Sequence, residues 1–142
     1  MFWLKKRDNP TADSVAEQVG LDAEGFYRTG RMHCAEAVLM AMRNAYSPET
    51  PQDVVRLAAG FGGGSNAGCL CGAVSGGTMA FGLAVKEDKR RVNRLTRQLH
   101  EWFKHEYGAT CCRIATKNAK GKGGCAVLTG EVARRTAELL EA

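Results

Sequence analysis

No stretch of the 142-residue chain approaches 18 apolar residues, so no membrane-spanning helix is expected. No alternating apolar and polar run of useful length appears, so strands are not expected either. Histidine is scarce, with three in the chain. His100 and His105 in HEWFKH lack the HExxH spacing and fall on different helix faces, which excludes that zinc motif. Paired CxxC spacings, which a structural zinc site needs, are also missing. The opening MFWLKKRDNPTAD carries too short an apolar run for a signal-peptide core. The cytoplasm is therefore the expected compartment, and there thiols are kept reduced.

What is present is ordinary in bulk and unusual in detail. Hydrophobic residues make up 44% and charged residues 25%, which suits a single domain with its own core. The net charge is +5, with basic residues gathered in 86–97 and 117–122. No nucleic-acid motif accompanies them, so solvated faces are the simpler reading and nucleic acid a minor one. Six cysteines exceed what packing alone uses. In a reduced compartment such a set points to metal, catalysis or redox sensing.

The periodicity predicts an all-α bundle of about five to six helices with a Gly/Cys-rich loop. Residues 1–12 read as a poorly ordered lead and 13–142 as one helical domain. Ser14-x-x-Glu17 fits a capping box for a short first helix, and Asp22 caps a second stretch ending at Gly30. A second helix is expected over 33–45 and a third after Pro51. A fourth carries Gly72, Gly76, Ala80 and Ala84 on one stripe. The clearest spans 88–107, with Val92, Leu95, Leu99, Trp102 and Phe103 on one face. The last covers 125–140. Core candidates include Val38, Phe81, Leu95, Leu99, Trp102 and Phe103. If the second and fourth helices start on the same side, their small residues bring Cys34 and Cys71 together.

Four cysteines each follow a glycine-bearing break and open a helical run: Cys34, Cys71, Cys112 and Cys125. Helix N-termini carry unpaired N–H groups and a partial positive charge, so thiolates are expected there. These four are the candidate catalytic and metal-ligating residues. His33, just before Cys34, could raise the thiolate fraction or join the ligand set. Residues 60–77, GFGGGSNAGCLCGAVSGG, hold eight glycines in 18 positions. They match neither a Walker A loop nor a dinucleotide fingerprint. Gly62, Gly63, Gly64 and Gly72 are candidates to offer N–H groups to an anionic centre. Cys69 and Cys111 flank Cys71 and Cys112 and must lie near any site those two share. They would enlarge the ligand set, form an accessory disulfide, or simply fill the loop as small residues.

The segments FYRTGRMHCAEAVL, AAGFGGGSNAGCLCGAVSGGTMAFGL and EYGATCCR, with a last cysteine before the terminal helix, resemble the family named for its C–GCAxxG–C–C motif. That family is grouped as redox-active, and related sequence occurs in the C-terminal part of split-Soret cytochromes. The resemblance covers about residues 23–140 and carries Cys34, Cys71, Cys112 and Cys125. This chain reads CGAVSG at the central motif, and Cys69 and Cys111 are additional to the pattern. The resemblance implies a compact helical domain with a cysteine-ligated redox centre or a reactive dithiol. It makes an iron–sulfur cluster the leading cofactor. No CxxCH is present, so covalent haem is not implied.

Three functions follow. The first is electron transfer through an iron–sulfur cluster or other soft metal, with an unidentified redox partner. The second is metal-free thiol–disulfide exchange. The third is a non-catalytic basic helical binding module. Homo-oligomerisation is compatible with each.

Overall fold

The computed structural model describes residues 12–142, with side chains from residue 15 onward. Six α-helices follow in order: α1 (Ala12–Arg28), α2 (Cys34–Tyr46), α3 (Gly72–Val85), α4 (Lys89–Tyr107), α5 (Cys112–Ala119) and α6 (Gly124–Glu141). A 3₁₀ segment, Gln52–Phe61, and a glycine loop connect α2 to α3. No strand occurs among the described residues. No described helix is long and apolar enough to cross a membrane. The lead expected over residues 1–12 lies outside the described residues except for Ala12, which is helical.

α4 shows how the sequence dictates the fold. Asp88 caps its start by accepting the Arg91 N–H at 3.1 Å. Gly108 ends it in the left-handed conformation at φ 87°. Between them Leu95, Leu99, Phe103 and Tyr107 recur every fourth position and are buried. They meet Val38, Leu39 and Met42 of α2, Val74 and Phe81 of α3, and Val132 of α6 in one core. Burying each such side chain contributes about 1.5–3 kcal/mol. Trp102 is half-buried and packs against this core rather than within it, 6.4 Å from the Phe103 ring.

Two expectations are corrected. The N-terminal region is one continuous helix, not two segments. Ser14 lies inside α1, and Asp22 accepts from the Gln18 amide at 2.8 Å instead of capping a new helix. Gly20 does not break α1 because it is needed for packing. A Cβ there would lie 2.9 Å from the Gly130 carbonyl oxygen of α6. The segment after Pro51 is a 3₁₀ helix. Its three-residue repeat puts Val55 and Ala58 on one buried face and leaves Leu57 73% exposed.

The stripe on α3 does what steric reasoning expects. A Cβ on Gly76 would lie 2.5 Å from the Ala35 carbonyl oxygen. One on Gly72 would lie 2.5 Å from Cys34 Sγ. α2 and α3 therefore start side by side in near-backbone contact.

Candidate functional site

All four predicted cysteines sit at helix starts. Cys34 is the first residue of α2 and Cys71 caps α3. Cys112 is the first residue of α5, and Cys125 the second of α6. All four are free thiols, with Cys71 buried and the other three half-buried.

Packing brings these starts to one end of the bundle. Cys34 Sγ fills the space beside Gly72, and the N–H groups of Gly63 and Ala35 point at its sulfur. Cys71 donates its N–H to the Thr110 carbonyl at 2.8 Å, which ties the start of α3 to the segment entering α5. The N–H groups of Ala73 and Val74 point at the Cys71 sulfur. Gly64 leaves room for Cys112, whose Cβ would lie 2.8 Å from a side chain there. Thr116 Oγ1 lies 3.6 Å from Cys112 Sγ and 3.8 Å from Cys125 Sγ, so one hydroxyl joins two of the sulfurs.

Tyr27, in the last turn of α1, faces the same group. Burial raises the pKa of its phenol, and the negative charges of Cys125 and Cys34 add to the rise, together with a hydrogen bond to Cys125. The phenol therefore stays protonated and can donate to the Cys125 sulfur. Sequence reasoning missed Tyr27 and Thr116. Tyr27 stands in FYRTGRMHC, within the segment that carries the motif, and its proximity to Cys34 was the available signal. Thr116, one helical turn after Cys112, could have been found from the i, i+4 neighbour rule.

The expected effect of helix N-termini on acidity is overturned for two thiols. Burial pushes the Cys34 thiol up, and the N–H groups of Gly63 and Ala35 only oppose that rise. Cys71 is pushed up to about 12, first by burial and then by the charge of Cys34. Removing water from a thiolate costs more than partial helix charges return. Without a cation, these two cysteines are neutral thiols.

The candidate glycines divide by role. Gly63 donates to Cys34, whereas Gly64 and Gly72 supply room for Cys112 and Cys34. Gly62 lies against His33, where a Cβ would be 2.8 Å from that of the histidine. His33 itself is exposed, and its backbone N–H donates to Glu36 at 3.0 Å. His100 Nδ1 donates to the Thr96 carbonyl of its own helix at 2.8 Å, and His105 is exposed.

Cys69 and Cys111 are joined in a disulfide, one of the three outcomes expected for this pair. The bridge ties the glycine loop to the residue that caps α5. Arg113 crosses the same loop, packing over Gly68 and donating to the Ala67 carbonyl at 3.2 Å.

An iron–sulfur cluster or soft metal asks for sulfur donors surrounded by N–H groups. The chemistry of the donor set fits that demand: four free thiols, with N–H groups directed at Cys34 and Cys71. Their placement is looser. Among the described residues no group of three or more His, Cys, Asp or Glu side chains is arranged to hold a metal ion. The sulfurs would have to close inward on any metal they bind.

A family model described as "Putative redox-active protein (C_GCAxxG_C_C)" matches residues 32–139. No curated protein and no solved structure matches the chain.

Proposed function

The chain belongs to that redox-active family, and from this premise we propose that Cys34, Cys71, Cys112 and Cys125 bind an iron–sulfur cluster or another soft metal for electron transfer. The observation that carries the proposal is the burial of Cys71 and half-burial of Cys34, with N–H groups aimed at both sulfurs. Buried thiols with raised pKa are poor nucleophiles on their own. A bound cation offsets the cost of the buried charge and lets them ionise.

The residues have distinct parts in this reading. The four sulfurs ligate. The N–H groups of Gly63 and Ala35 stabilise charge on Cys34, and those of Ala73 and Val74 stabilise it on Cys71. Tyr27 and Thr116 place hydroxyls beside Cys125 and Cys112. A bound cluster would supply a one-electron couple whose potential responds to these hydrogen bonds. Binding would release the thiol protons, so affinity should rise with pH.

Metal-free exchange is the second reading. Its supporting observation is the Thr116 hydroxyl shared by Cys112 and Cys125, which brings that pair close. One experiment separates the readings: anaerobic reconstitution with iron and sulfide, followed by metal analysis and visible absorption. Bound iron with a charge-transfer band, lost in C34S and in C125S, is the expected result. Colourless protein that retains no iron and oxidises to a Cys112–Cys125 disulfide would replace the first reading with the second.

A further inference from the structure

We propose that the Cys69–Cys111 bridge is a second redox site, separate from the four free thiols, and that it exchanges with a reduced protein dithiol of the thioredoxin class. Cys69 and Cys111 stand outside the four-cysteine pattern that carries the family resemblance. This proposal does not rest on the metal reading.

Three observations carry it. First, Cys69 is exposed, on a loop held in place by a few hydrogen bonds. Exposed disulfides are the labile ones, whereas structural bridges resist reduction. Second, the fold has no need of a staple here. A continuous core runs through α1, α2, α3, α4 and α6 without either cysteine. Third, the two sulfurs differ. Cys111 is half-buried and caps α5, whereas Cys69 is exposed. Attack is therefore favoured at Cys69, the sulfur a partner can reach.

The chemistry balances as follows. A thiolate of the partner attacks Cys69 Sγ and forms a mixed disulfide, and the Cys69–Cys111 bond breaks. Cys111 leaves as a thiolate and takes up a proton. The partner's second thiol then loses its proton and attacks the partner sulfur of the mixed disulfide. Cys69 leaves and is protonated. Two electrons and two protons have passed from the partner dithiol to the bridge, and the partner is now a disulfide.

The exchange would be felt at the four-thiol end. The bridged loop contains Gly63, whose N–H points at Cys34, and Cys111 is bonded directly to Cys112. Opening the bridge removes the covalent tie between that loop and the start of α5 and leaves the Arg113 hydrogen bond to the Ala67 carbonyl.

The test uses folded protein, with and without reconstituted iron. Reduced thioredoxin or glutathione is supplied at equal thiol concentration, followed by acid quench, alkylation and peptide mass analysis. Cys69 and Cys111 should gain two alkyl groups at least about tenfold faster with thioredoxin than with glutathione. Thioredoxin lacking its resolving cysteine should become trapped on Cys69. The C69S/C111S variant should keep its helical circular dichroism and lose only this step. A bridge that opens only in denaturant would overturn the proposal, as would trapping on Cys111. Neither result bears on iron content, so this proposal and the metal reading can fail independently.

Discussion

Helix backbones nearly touch at two places in this bundle. Where α1 crosses α6, Gly20 faces Gly130, and a Cβ on either would lie 2.9 Å from the other's carbonyl oxygen. Where α2 meets α3, Gly76 faces Ala35 and Gly72 faces Cys34 Sγ. The two crossings solve the same packing problem. Ion pairs of Arg134 with Glu131 and Glu138 lie beside the first, along α6. Thiols and loop N–H groups surround the second. Small residues thus signal close approach alone. Chemistry is signalled by what the close approach squeezes out of water, here Cys34 and Cys71.

The contrast can be sharpened first through thiol reactivity, where the largest effect is expected. In metal-free protein at pH 8, Cys71 should alkylate about 100-fold or more slower than in the unfolded chain, as followed by peptide mass analysis. The fold raises its pKa from 9.0 to about 12, so folding favours the neutral thiol. That stabilisation is complete below pH 9 and is lost as pH climbs toward 12. Alkylation of Cys71 at the unfolded rate in protein with intact helical signal would break the comparison.

A methyl group at the second crossing comes next. Gly76→Ala forces Cβ onto a backbone oxygen that cannot move freely, and should cost about 3 kcal/mol in denaturant unfolding. It should also speed alkylation of Cys34, because Ala35 adjoins it. Gly130→Ala, the matching change at the first crossing, should cost about 1–2 kcal/mol, because its contact is less severe. It should leave Cys34 and Cys71 alkylation unchanged. Equal loss of thiol protection in the two variants would erase the distinction between a packing site and a chemical one.

Much of this is legible in the amino-acid sequence. The apolar stripe of α4 and its caps follow from local rules that tertiary contacts did not override. The four helix-start cysteines were visible as Cys residues after glycine breaks, and the Gly72–Cys34 approach as a small-residue stripe. Other features were not legible, for identifiable reasons. Gly20 reads locally as a helix breaker, and only α6, more than a hundred residues later, shows why it is tolerated. The segment after Pro51 has helical composition, but 3₁₀ and α periodicities are hard to separate over ten residues. The direction of the Cys34 and Cys71 shifts depends on burial, which a helix-terminus argument omits. Tyr27 belongs to the site through tertiary placement, since α1 must pack before its last turn reaches Cys125.

The covalent bridge also alters how the chain would respond to force. Cys69 and Cys111, 42 residues apart, close a ring that contains α3 and α4. Pulled from its ends, the oxidised chain would keep about 140 Å of contour length out of the line of tension. Tension would pass through the bridge and load only the segments outside the ring. Cys71 would rest in the slack ring while Cys34, Cys112 and Cys125 lay on the taut strand. Mechanical loading would therefore divide the four thiols three to one, and opening the bridge would place all of them on a single line.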